Sequence, residues 1–190
     1  CLAAKTRSDQ ALFGIVQGGI FPDLREQSAQ YINSLDFPGI AIGGLSVGET
    51  KAEMHAVLDL LDPILPQNKP RYLMGVGSPE DLIQCIRLGI DIFDCVLPTR
   101  LARHQAAMTR RGRINLLNNA NARDPRPIEE TCTCYTCRHF SRAYLRHLMV
   151  AREMLASTLL SIHNIHLLLT LVRSAREAIL AGQYEQFATS

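Results

Sequence analysis

The sequence predicts an α/β protein organised on a parallel sheet. Short apolar runs alternate with helical patterns four times within the first hundred residues, which is the rhythm of strand–helix units feeding a parallel sheet. Each run ends in glycine or a polar group, and the fourth is apolar on both faces, as strands are when helices cover their sheet. At 190 residues and 47% hydrophobic content, the chain is long enough for one sizeable core and a small second module.

Residues 1–10 are polar, carry no strand pattern and read as the tail of something upstream. The first strand, residues 12–17, ends at Gly18 and Gly19. Pro22 is placed to open a helix, with Leu24, Ser28, Tyr31 and Leu35 on one face of it. Residues 39–42 form the second strand, ending at Gly43 and Gly44. Thr50 and Glu53 make a capping box for a helix through Met54, Val57, Leu58 and Leu61. The third strand, residues 71–74, ends at Gly75-Val76-Gly77. Ser78 and Pro79 start the third helix, which Leu82, Ile83, Ile86 and Leu88 carry to a capping Gly89.

The fourth strand holds Ile90, Ile92, Phe93, Val96 and Leu97 around a carboxylate, Asp94, and stops at Pro98, which has no N–H for a ladder. Burying an aspartate is costly without a partner or a task. Arg100 and Arg103 follow at once in what reads as a cation-rich loop, and the C-terminal ends of strands are where chemistry sits in strand–helix barrels. The plainer reading is an Asp that caps the next element or pairs with an arginine. A complete eight-stranded barrel takes about 250 residues, so four units make either a small open sheet or half of a barrel.

After Asp94 the rhythm breaks. Residues 106–109, Gly112 and residues 114–117 read as a hairpin with an arginine-rich turn. Cys132, Cys134 and Cys137 follow at C-x-C-x2-C spacing. Thiols so close can fill three corners of a tetrahedron, and zinc then needs one more ligand. His139, His147, His163 and His166 are the candidates, and spacing does not choose among them. Helical patterns run from Ser141 to about residue 156 and from about residue 161 to 181, with Gly182 as the cap.

Charge divides the chain. Between Cys95 and Arg152 eleven arginines face three acids, Asp124, Glu129 and Glu130, while the remainder carries an excess of six negative charges. Clustered arginine suits bidentate phosphate contacts, so a nucleic-acid backbone is the natural partner. No 18-residue apolar run is seen, so no membrane association is expected, and the first residues lack the apolar stretch of a signal peptide. Bunched rather than spread cysteines argue for a reducing, cytoplasmic setting with one metal site.

Taken in order, five stretches resemble the tRNA-guanine transglycosylase (queuine tRNA-ribosyltransferase) family. They are Phe13-Gly14-Ile15-Val16-Gln17-Gly18-Gly19, Gly43-Gly44-Leu45-Ser46-Val47-Gly48-Glu49, Tyr72-Leu73-Met74-Gly75-Val76-Gly77, Phe93-Asp94-Cys95-Val96-Leu97-Pro98-Thr99-Arg100, and the three cysteines with Ile162-His163-Asn164. The resemblance covers the chain from about Leu12 onward. It implies the C-terminal half of a (β/α)8 TIM barrel with an inserted zinc-binding subdomain and C-terminal helices. Residues 1–105 would be the four strand–helix units, and residues 106–190 the basic hairpin, zinc subdomain and helices. A structural Zn2+ on Cys132, Cys134, Cys137 and His163 is implied as well.

The implied reaction, a step in queuosine formation, exchanges guanine at the wobble position of a tRNA with a GUN anticodon for a 7-deazaguanine base. Val47, where eukaryotic members tend to have glycine, points to a bacterial type and to the precursor preQ1. Asp94 matches the family's nucleophile, which forms a covalent bond to ribose. Gln17, Gly44, Leu45 and Met74 match positions lining the base pocket, and Arg100 and Arg103 would hold anticodon-loop phosphates. The family's second catalytic aspartate lies in an N-terminal half outside this sequence, so these residues alone are expected to be inactive. A homodimer is the expected assembly. A non-catalytic tRNA-binding or partner subunit on the same scaffold is the alternative of a different class. One departure is plain: after Arg103 the family tends to read Asn-Gly, where this chain has His104-Gln105.

Overall fold

The computed structural model describes residues 1–189. They form two compact units: Cys1–Cys95 with the chain from Tyr184 onward, and Val96–Gln183. The sequence reading puts its boundary after residue 105; by contacts, the segment from Val96 counts with the second unit.

In the first unit β1 (Gly14–Val16), β2 (Ile40–Ile42), β3 (Arg71–Leu73) and β4 (Ile92–Phe93) pair in parallel in the order β1-β2-β3-β4. Helices α1 (Pro22–Asn33), α2 (Lys51–Leu61) and α3 (Pro79–Arg87) connect them. The register makes two rows. Val16, Ile42, Leu73 and Phe93 align on one face, and they pack with Met54, Val57, Leu58 and Leu61 of α2 in one hydrophobic core. Ile15, Ala41, Tyr72 and Ile92 align on the other, where Ile15 is 42% and Ile92 40% exposed.

The expected α2 and α3 are found with their caps. Thr50 and Glu53 exchange both capping-box bonds, and the Ser78 hydroxyl accepts the Asp81 N–H at the start of α3. Gly89, just past α3, has φ +78, a backbone state that glycine adopts without strain.

Two expectations fail. On α1, Leu24 and Tyr31 are exposed, and Arg25 and Ala29 take the inward positions. The reason is the Arg25 guanidinium, which is buried against backbone carbonyls at the strand exits and so outcompetes an apolar neighbour. The fourth strand is also shorter and less buried than expected. Only Ile92 and Phe93 pair, Asp94 and Val96 are exposed, and Leu97 already starts a helix. Pro98 lies in that helix's first turn, where its missing N–H breaks no bond.

The second unit holds α4 (Leu97–Arg103), the antiparallel hairpin β5 (Ala106–Thr109) and β6 (Gly112–Asn115), then α5 (Tyr135–His139), α6 (Arg142–Val150) and α7 (Met154–Leu180). Ala102, Ala107, Leu116, Ile128, Leu145 and Leu160 are among its core residues. The break between the last two long helices falls at residues 151–153, where Arg152 takes φ 60, and not near residue 160. Thr158 and Ser161 hydroxyls bond back to carbonyls four residues earlier, which lets them sit inside a helix instead of capping one. The merged α7 is long and apolar enough, by length and composition, to cross a membrane, although it contains no unbroken 18-residue apolar run. Its inward face nevertheless carries polar residues, His163 and Asn164, both fully buried within the unit.

Candidate active site and metal centre

The first unit brings its expected site residues to one edge of the sheet. Gln17 follows β1, Gly44 and Leu45 follow β2, Met74 follows β3 and Asp94 follows β4, all at the C-terminal ends of parallel strands. Gln17 folds over the glycines after β2: a Cβ at Gly43 or Gly44 would come within 2.6 Å of its amide. Only glycine lets that amide lie so close to the backbone. The Leu45 side chain is buried in the core, so this residue offers a ligand its backbone alone. Met74 is half-buried.

Asp94 is exposed rather than buried, and its surroundings keep it charged. Its Oδ1 accepts the Gly75 N–H at 2.9 Å and the Tyr72 hydroxyl at 2.7 Å. These two bonds to the charged form hold the carboxyl below its usual range, Gly75 first and Tyr72 second. Neither donor is the cation that the sequence offers for this task.

Three residues at this edge escape a sequence reading. Tyr72 looks like an ordinary β-former, and only the register shows where its hydroxyl goes. Arg25, 0% exposed, donates to the carbonyls of Gly19 (2.7 Å), Val16 (3.2 Å) and Gly44 (3.3 Å), tying the exits of β1 and β2 together. Glu49 accepts from the backbone N–H groups of Ser46 and Val47, which orders the turn where Ser46 holds φ 61. A buried polar residue with several partners is a packing event between distant segments, so composition cannot announce it.

In the second unit, Cys132, Cys134, Cys137 and His163 bring all four donor atoms within 4.8 Å of one another. The three sulfurs lie 3.6, 3.5 and 3.3 Å from His163 Nδ1. Ordinary Zn–S and Zn–N bonds at a tetrahedral angle put sulfur and nitrogen about 3.5 Å apart, so the donor set fits zinc. Burial pushes the Cys132 and Cys137 thiols up and holds His163 neutral. Such a cluster ionises when a dication joins it. The structure also chooses the histidine. His147 is exposed on α6, His139 Nδ1 turns to the Tyr135 carbonyl, and His166 Nε2 faces the Thr133 hydroxyl.

Arg100 and Arg103 lie on α4, a helix where a loop was expected, three residues apart and both exposed. Arg110, Arg111, Arg113 and Arg123 are likewise exposed in this unit. By contrast, Arg126 and Arg142 are spent on Asp124, and Arg146 on the Leu117 carbonyl.

An ionised carboxylate and a cradle of glycines at parallel strand ends, together with a Cys3His cluster in a basic unit, define an α/β protein with a candidate catalytic edge and a cluster that could hold a metal ion. The family model for queuine tRNA-ribosyltransferase matches residues 1–190. A queuine tRNA-ribosyltransferase of Herpetosiphon aurantiacus is 57% identical over 187 residues, covering 98% of this chain and 48% of the relative. That of Moorella thermoacetica is 54% identical over 188 residues, covering 99% and 50%, and that of Staphylococcus epidermidis 56% over 180 residues, covering 94% and 48%. The chain belongs to the queuine tRNA-ribosyltransferase family. It spans about half the length of these curated relatives.

Proposed function

We propose that this chain is the nucleophile-bearing C-terminal part of a tRNA-guanine transglycosylase, half of a (β/α)8 barrel that carries a structural zinc. Its reaction replaces guanine at the wobble position of a GUN anticodon by a 7-deazaguanine, preQ1 in the bacterial case. The observation that carries this reading is Asp94: an ionised carboxylate at a strand exit, held through one oxygen and placed on the same sheet edge as Gln17, Gly44 and Met74.

In this reading Asp94 forms a bond to ribose C1′ while the C1′–N9 bond to guanine breaks. The bonding pair leaves with guanine, which takes a proton from a second carboxylic acid. The incoming base gives its N9 proton to the resulting carboxylate and attacks C1′, releasing Asp94 with its own electron pair. The Gln17 amide and the backbone of Gly44 and Leu45 supply hydrogen bonds to the base edge, and Met74 an apolar contact to its face. Arg100 and Arg103 meet the phosphates of an anticodon loop whose target base is splayed out. Cys132, Cys134, Cys137 and His163 would hold a zinc ion, which would contribute folding energy rather than reaction chemistry. The homodimer and the cytoplasmic setting belong to the same proposal.

A purely tRNA-binding subunit would use the arginines and leave Asp94 without a task. The test is labelled-guanine exchange into tRNA by the full-length protein and its Asp94→Asn variant. Exchange should vanish while tRNA binding persists. An Asn variant that exchanges at nearly the parent rate removes Asp94 from the chemistry.

A further inference from the structure

We infer that Tyr72 is a positioning residue for Asp94: together with the Gly75 N–H it engages one carboxylate oxygen, so the bond to ribose forms on the other. The inference rests on the transglycosylase reading above, in which Asp94 is the nucleophile.

Both hydrogen bonds fall on the same atom, Asp94 Oδ1, from Tyr72 at 2.7 Å and from Gly75 at 2.9 Å. A carboxylate oxygen with two donors has its lone pairs engaged, so Oδ1 is the held oxygen and Oδ2 the one left with the more accessible pair. The two donors also come from rigid places. Tyr72 lies in β3, in register between Ala41 and Ile92 on the half-open face of the sheet. Gly75 holds φ +80 just beyond the strand, a turn that only glycine makes without strain and that aims its N–H. Held at two points, the carboxylate loses rotational freedom before substrate arrives, which is how a second layer of groups orders a reacting one.

The donor role of Tyr72 survives at neutral pH, because its bond to Asp94 raises the phenol above its ordinary range. Asp94 in turn is held low, with no charged side chain among the causes. Tyr72 is the titratable group that faces it from β3, and Cys95 follows it on its own strand exit. The same bond assists the second half of the reaction, since a carboxylate that accepts a hydroxyl donor leaves ribose more readily.

Tyr72→Phe in the full-length protein tests the assignment. Loss of one hydrogen bond to a charged group lowers kcat about ten- to a hundred-fold, with the KM for tRNA and the thermal midpoint near those of the parent. Without the hydroxyl the acid limb of the kcat–pH profile moves up, because the charged form has lost a donor. An unchanged kcat and limb overturn the inference, as does a loss of kcat with the limb unmoved and the midpoint lowered, which is a structural effect. Should the Phe variant fold poorly, 3-fluorotyrosine at position 72 keeps the ring and strengthens the donor. It should move the limb down, and an unmoved limb is again a refutation. Asp94→Asn separates the two levels: if it still exchanges guanine, the transglycosylase reading falls, whereas an inactive Asn beside a normal Phe variant removes Tyr72 alone.

Discussion

The Nε2 of His163 lies 2.8 Å from the carbonyl oxygen of Met108. Nε2 therefore carries the proton and donates it, which leaves the Nδ1 lone pair, among the three sulfurs, to bind a metal. The next residue, Asn164, accepts the Met108 N–H at 2.8 Å and donates to the carbonyls of Pro98 and Ala106. One turn of α7 thus anchors the hairpin and the thiol cluster at the same time. The full-length protein should hold one equivalent of zinc per chain, and chelation should lower its thermal midpoint. His163→Ala should lose the metal and His147→Ala keep it, measured by elemental analysis after dialysis. The reverse pattern would give the fourth corner to His147.

Much of this was legible in the sequence, and the reasons are local. Helix α2 was readable to the residue because a capping box and 3.6-residue spacing are properties of one short stretch: the expected Met54, Val57, Leu58 and Leu61 are its buried residues. The thiol trio was equally plain, while four histidines competed for the last corner until tertiary packing chose one. Three features were not legible. Pro98 reads as a strand terminator and as a helix opener with equal right, so local sequence does not separate α4 from a loop. Arg25 occupies an inward position because of carbonyls outside its helix, so Leu24 and Tyr31 of the expected α1 face are exposed while Leu35 still packs on the core. Tyr72 has no signature at all before the strands are in register with one another.

The departure at His104-Gln105 has a structural consequence. Gln105 holds φ 62, a left-handed conformation, at the position where the family tends to place glycine. A side chain there costs about 1–2 kcal/mol against a glycine. Part of that is offset, because glycine loses more backbone freedom on folding, by roughly 0.5–1 kcal/mol. Gln105→Gly should therefore leave stability equal or raise it by up to about 1.5 kcal/mol, read from urea unfolding of the full-length protein. A clear loss of stability would show that the Gln105 side chain contributes contacts worth more than the strain.

Acid should loosen the second unit through Asp124. Its two oxygens take bonds from Arg126 at 2.9 and 2.8 Å and from Arg142 at 3.3 Å, tying the 124–128 segment to α6. The Arg126 side chain first, then its backbone N–H, hold this carboxyl well below the usual carboxylate range. The sign follows from linkage. A folded value below the unfolded one, near 3.9, stabilises fully above about pH 4 and is lost as pH falls further. Melting temperatures of the parent should drop below about pH 4 more steeply than those of Asp124→Asn. Parallel profiles for the two proteins would sink this assignment.

Expressed by themselves, these 190 residues should neither exchange guanine nor stay monomeric. In the described residues β1 and β4 are the edges of the sheet, and unpaired edges invite pairing with another chain. Apolar side chains crowd the β1 side: Ile15, Phe21, Leu24 and Tyr31 are exposed there, with Ile92 at the other edge. Covering a residue of this kind is worth about 1.5–3 kcal/mol. Against a typical domain stability of about 5–15 kcal/mol, several uncovered ones favour association. Sedimentation velocity across a concentration series should show oligomers, and Ile15→Lys with Leu24→Lys should shift the distribution toward monomer. The chemistry should be missing as well, because protonation of the departing guanine needs a second acid. A monomeric, cooperatively unfolding 190-residue chain with exchange activity would refute the half-barrel reading and the need for that acid together.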